Sequence, residues 1–113
     1  MLLNVSYYED GIKIIILQGR MDIVGTQEIE TRFTALVASE TSKIIIDLLG
    51  FECMSSIGIG IIVRAADALL RRGGKIVILN PRVDVLRVLE STQITKVIPV
   101  FNDIGSAAAY FKG

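Results

Sequence analysis

Residues 51–74, FECMSSIGIGIIVRAADALLRRGG, change character midway, and where they change decides the fold. Two adjacent hydroxyls, Ser55 and Ser56, separate a strand-like stretch from a run with helical periodicity. From Ile57 onward, Ile62, Ala65, Ala66 and Leu69 share one stripe, while Arg64, Asp67 and Arg71 share another. Gly73 and Gly74 supply the left-handed stop. Ser56 therefore sits at or beside the N-cap of an amphipathic helix. Immediately upstream, KIIIDLLGF (43–51) carries three consecutive isoleucines, which suits a strand covered on both faces and therefore central in its sheet. Immediately downstream, KIVIL (75–79) reads as a second buried strand.

Further out the alternation continues. Asn80-Pro81 offers an N-cap followed by a proline at the first helical position, ahead of Val85, Leu86 and Leu89 on one helix face. KVIPVF (96–101) is a short strand that Pro99 assigns to an edge, and DIGSAAAYF (103–111) a last helix with Asp103 or Ser106 near its start. Toward the amino terminus, LLNVSYYED and IKIIILQG are β-rich runs joined at Asp10-Gly11, a dipeptide suited to the positive φ angles of a tight hairpin. After RMDIVG the period changes again: Ile29, Phe33, Leu36 and Val37 recur at helical spacing, and Glu28 and Arg32 are placed as an i, i+4 ion pair. The expected architecture is α/β: a single domain over residues 1–113, with a mostly parallel sheet of about five strands, an antiparallel edge strand and about four helices. In such a sheet, ligands and partners favour the carboxyl ends of the strands, where Ser55 and Ser56 lie.

Composition narrows the chemistry. Half of the 113 residues are hydrophobic (51%), so the chain has the apolar surface to fold. Twelve basic residues balance twelve acidic ones, which gives no electrostatic footprint for nucleic acid. No apolar stretch reaches the roughly 20 residues that cross a bilayer, and the start has no signal-peptide pattern, so a cytoplasmic protein without a membrane partner is expected. With one cysteine and no histidine, neither a disulfide, a metal site nor another cofactor is expected. Cys53 reads as a small buried apolar residue, and Tyr7, Tyr8 and Phe51 as packing residues.

Catalytic motifs fail one by one. Gly58 and Gly60 open a dinucleotide-like pattern, but its third glycine position holds Val63; close packing of helix on sheet explains the pair better. No lysine followed by Ser or Thr closes a phosphate-binding loop. Ser56 on a strand-to-helix turn lacks G-x-S-x-G and any histidine to take its proton, so a hydrolase is excluded and no residue is assigned as catalytic. Asp47 resembles the phospho-acceptor of receiver domains, but the accompanying acidic pair is reduced to Asp22. What remains is a serine modified by another protein: phosphate on a helix-start hydroxyl adds about −1.5 to −2 charges to a neutral surface. The residues alone favour Ser56 as a simple cap.

The whole chain resembles a STAS domain of the anti-sigma-factor antagonist family. LQGRMDIVGT (17–26) is similar to that family's G-x-[LM]-D segment. IIIDLLGFECMSSIGIGIIV (44–63) resembles its strand, D-S-[ST]-G-[LI]-G signature and helix start, and GGKIVILNPRVDVLRVLESTQITKVIPVF (73–101) its later strands and third helix. The resemblance implies a noncatalytic partner switch: the unphosphorylated protein binds an anti-sigma factor that is also a serine kinase, and the phosphorylated protein lets go, with a serine phosphatase as a further partner. Aligning Gly58-Ile59-Gly60 on the signature puts Ser56 on the phospho-accepting position, with Ser55 as rival where an aspartate usually stands and Ile57 where Ser or Thr follows. The implied partner face is Asp22, Ser55, Ser56, Ile57, Gly58 and Ile59. Asp22 has an equally good alternative role as a helix or turn cap. Gln93 replaces a glycine of the family and is expected to alter only a helix end. The missing aspartate leaves a second reading, a non-phosphorylated STAS scaffold or a subunit of a stress-signalling or lipid-transport assembly, and a small-ligand module at the strand ends is a third.

Overall fold

The isoleucine run lies mid-sheet. In the structure, a computed structural model that describes residues 1–39 and 42–112 and only the backbone of Cys53 and Met54, the elements follow in the order β1 (Leu2–Tyr8), β2 (Ile12–Met21), α1 (Ile23–Ala38), β3 (Lys43–Asp47), β4 (Phe51–Met54), α2 (Ser56–Arg71), β5 (Lys75–Leu79), α3 (Val83–Ser91), β6 (Val100–Phe101) and α4 (Ile104–Tyr110). The sheet order is β1-β2-β3-β5-β6, with β1 antiparallel to β2 and the other pairs parallel. Asp10 (φ 59°) and Gly11 (φ 75°) both take the left-handed conformation anticipated for the first turn.

The strand-like stretch before Ser55 was not foreseen as a strand separate from β3. Past the end of β3 the chain steps outward, and β4 pairs with the last residues of β2, Gly19 to Met21, across a register shift. Strand β2 is ten residues long and outruns five-residue β3, so its far end has a free edge for β4 to fill.

The two faces of the sheet are covered unequally. Ile44, Ile46, Ile76 and Ile78 pack with Ile29 and Phe33 of α1, Ile62 and Leu69 of α2, and Val85 and Leu89 of α3. Ile45 and Val77 face the other way, onto Ala107, Ala108 and Phe111 at the α4 end. All three isoleucines of β3 are fully buried, as a strand with both faces covered requires.

Local chemistry sets the helix ends. Helix α2 stops at Gly73 (φ 83°), where the Gly74 N–H reaches back to the Leu69 carbonyl at 2.9 Å. Helix α1 has no basic residue in its last turn; its orphan carbonyls are taken instead by Lys13 Nζ on Leu36 (3.2 Å) and by the Arg72 guanidinium on Val37 and Ala38. The expected Glu28–Arg32 pair does not form. Glu28 binds the Met1 amine at 3.0 Å, and Arg32 donates to the Leu3 carbonyl at 2.8 Å, so Met1 and β1 take both side chains instead. Helix α3 also begins later than Asn80-Pro81 suggests. Asn80 turns left-handed (φ 54°) and donates its N–H to Phe101 at 2.8 Å, so the chain stays with the sheet until Arg82.

Candidate functional site

Two helix starts meet where β2 ends. Asp22 follows the last residue of that strand and caps α1, its Oδ1 accepting from the Gly25 N–H at 2.8 Å. Ser55 follows β4 and caps α2 in the same way, its Oγ accepting from the Gly58 N–H at 3.2 Å. The two are tied through Met21, whose carbonyl accepts the Ser55 N–H at 3.0 Å. A methyl at Gly58 would lie 2.5 Å from Met21 Sδ, so only a glycine lets α2 descend onto that fully buried side chain. This is the close packing assigned to the glycine pair. A methyl at Gly60, by contrast, would meet only the end of the Arg64 side chain, Nη1 at 3.3 Å.

Ser55 is therefore the N-cap, and Ser56 is the first helical residue beside it. Ser55 is pinned at three atoms: its N–H to Met21, its Oγ from Gly58 and its carbonyl from Ile59 at 3.0 Å. Ser56 is exposed, and among the described residues its hydroxyl has no hydrogen-bond partner. Its own N–H and that of Ile57 are the unpaired donors every helix start leaves open. Helix α2 has no acidic residue in its first turn to offset the positive end of the helix, whereas at α1 the Asp22 cap supplies that charge.

Of the other expected face residues, Ile57 is 47% exposed, Gly58 is buried under the helix start, and Ile59 is half-buried against the core. Asp22 serves as a cap and also lies 3.8 Å from Arg20 Nε, in a pair more than half exposed on both sides. The sequence reading missed Ile23 and Val24, which are 58% and 66% exposed. The signal was available: they follow a capping aspartate and precede Gly25, where the buried stripe of α1 begins, so neither can turn inward. The exposed first turns of the two helices thus present Ile23, Val24 and Ile57 together with one free serine. The Cys53 side chain lies outside the described residues.

The model of the STAS domain family matches residues 6–107. The chain belongs to the STAS domain family. Among proteins of known name, it is 28% identical over 103 residues to BtrV of Bordetella bronchiseptica, whose name proposes an anti-sigma factor antagonist; the match covers 91% of this chain and 89% of BtrV. Among solved structures, an anti-sigma factor antagonist from Mycobacterium paratuberculosis superposes with a TM-score of 0.87 at 22% identity, covering 99% of this STAS domain and 94% of that chain. SpoIIAA, a Bacillus cell fate determinant and anti-sigma factor antagonist, superposes in its unphosphorylated form with a TM-score of 0.80 at 18% identity, covering 99% and 97%. Its phosphorylated form gives 0.72 at 15% identity, covering 96% and 99%. At these identities the structures share the STAS fold. Among the described residues no helix is long and apolar enough to cross a membrane.

Proposed function

We propose that this STAS domain is an anti-sigma-factor antagonist working as a partner switch. Unphosphorylated, it binds an anti-sigma factor that is also a serine kinase, through Asp22, Ser55, Ser56, Ile57, Gly58 and Ile59, extended by Ile23 and Val24. Phosphorylation of Ser56 releases the partner, and a serine phosphatase resets the switch. The domain itself is noncatalytic and acts in the cytoplasm. The observation that carries this reading is the division of labour between the serines: the Ser55 hydroxyl is spent on the cap, while Ser56 is free and exposed among apolar side chains. A phosphate placed there adds about −1.5 to −2 charges to a surface suited to an apolar partner. BtrV, proposed by its name to be an antagonist, and SpoIIAA, solved in both phosphorylation states, support the same reading. Ser55 keeps the capping function an aspartate would have, without its charge.

The test begins with a pull-down from native lysate, read by mass spectrometry for both the partner and phosphoserine. Titration calorimetry against that partner then compares Ser56→Ala, expected to bind constitutively, with Ser56→Asp, expected to bind more weakly while melting like the parent. Kinase treatment that modifies Ser55 instead moves the acceptor by one residue. Wild-type binding by Ser56→Asp, with Ser56 left unmodified by the kinase, would replace the switch by a constitutive STAS scaffold.

A further inference from the structure

We infer that β1 is a dimerisation edge that pairs antiparallel with β1 of a second copy of this chain. Among the described residues β1 pairs with no strand but β2, so one row of its backbone donors and acceptors faces outward over seven residues, with Arg32 on the Leu3 carbonyl. Proteins normally guard such an edge with charge, proline or a very short strand. The sheet's opposite edge follows that rule: β6 is two residues long and is preceded by Pro99. The sequence of β1, LLNVSYY, contains neither charge nor proline, and it exposes Leu2 (64%) and Tyr7 (67%).

The strand is also complementary to itself. Antiparallel pairing about a two-fold axis at Val5 sets Leu2 against Tyr8, Leu3 against Tyr7, Asn4 against Ser6, and Val5 against its own copy. Every pair is then apolar with apolar or polar with polar, the matching that stabilises neighbouring strands. A shift of two residues in one direction sets Glu9 and Asp10 against Leu3 and Leu2 of the other copy; a shift in the other direction carries Tyr7 and Tyr8 past Leu2, where the partner's β1 starts. The centred register alone uses all seven residues and keeps both acids outside the ladder. Arg32 already donates to the Leu3 carbonyl, and that oxygen has a second lone pair for a strand partner. The axis stands normal to the sheet, so the Ser56 ends of the two copies point in opposite directions and both remain open.

Sedimentation velocity of the full chain across the micromolar to millimolar range should show a monomer–dimer equilibrium. Asn4→Lys and Tyr7→Lys change exposed side chains, so they should melt like the parent while weakening dimerisation by about tenfold, since each enters the interface twice. In a Cys53→Ser background, Val5→Cys should oxidise to a linked dimer across the axis, whereas Leu2→Cys, which meets Tyr8 and not itself, should not. A chain that stays monomeric at every concentration overturns the inference. So does a dimer indifferent to both lysine substitutions, or one that Leu2→Cys links as readily as Val5→Cys.

Discussion

Two glycines two residues apart in the same helix start should respond oppositely to one added methyl. Alanine at Gly58 places its Cβ 2.5 Å from Met21 Sδ and 2.6 Å from Met21 Cγ, about 1 Å inside the contact distance such atoms prefer. Met21 is fully buried within the main core cluster and cannot swing away, so the helix start must rise or the core must strain. Overpacking of this kind costs about 1–3 kcal/mol, and the better helix propensity of alanine returns about 1 kcal/mol. The net expectation is a loss of as much as about 2 kcal/mol. At Gly60 the same methyl meets only the end of exposed Arg64 at 3.3 Å, so the propensity gain of about 1 kcal/mol stands alone. Urea unfolding followed by circular dichroism should therefore place the Gly58→Ala midpoint below the parent and the Gly60→Ala midpoint above it. A Met21→Ala background removes the obstructing atoms, and there Gly58→Ala should lose most of its penalty, a coupling of about 1 kcal/mol or more. A Gly58→Ala protein stabilised as much as Gly60→Ala, or a penalty unchanged without the Met21 side chain, would refute the packing argument.

Four further outcomes follow from other parts of the molecule. Ile45→Asp buries a charge in the middle strand at a cost of several kcal/mol and should leave the chain largely unfolded by circular dichroism; a melt like the parent's would refute the central placement. Gln93→Gly relieves a left-handed residue (φ 64°) and should stabilise by about 0.5–1 kcal/mol in the same urea assay, after the entropy glycine adds to the unfolded chain. Lys13→Met removes the ammonium that holds Leu36 and Ser39 at the end of α1, and calorimetric melts should show a loss of about 1–3 kcal/mol. Hydrogen bonds from the Ser106 backbone and side chain hold the Asp103 carboxyl below its ordinary 3.8, so its stabilisation of the fold is complete above that value and lost as pH falls through the lowered one. Melts in acid should accordingly show the difference between the parent and Asp103→Ala shrinking below the ordinary carboxylate range.

How much of this was legible depended on whether the decisive interaction was local. The hairpin at Asp10-Gly11, the middle strand at Ile44–Ile46 and the stop at Gly73 each rest on a few adjacent residues, and all three were readable. The separation of β4 from β3 was not, because it arises where β2 extends beyond β3, a length mismatch between segments some thirty residues apart. The start of α3 was misplaced for a similar reason: Asn80-Pro81 is a good local cap, but a bond to distant Phe101 holds Asn80 to the sheet. At the candidate site, spacing brought the reading to Ser55 and Ser56 together. Telling a spent hydroxyl from a free one required the position of the Gly58 N–H, which only the folded helix fixes.

Met21 grips the start of α2 twice, by its carbonyl on Ser55 and by its side chain in the hollow of Gly58. Displacing a segment held in that way costs a hydrogen bond and a buried contact at once, and a signal that travels as motion needs a second conformation within reach. Any chemistry at Ser56 must then act as paint on a fixed wall, changing what a visitor meets while the wall stays in place. Backbone amide resonances should move only around the first turns of α1 and α2 when Ser56 is altered, with the strands beneath them silent. An input confined to one surface can be rewritten in evolution one side chain at a time, with no fold to re-tune.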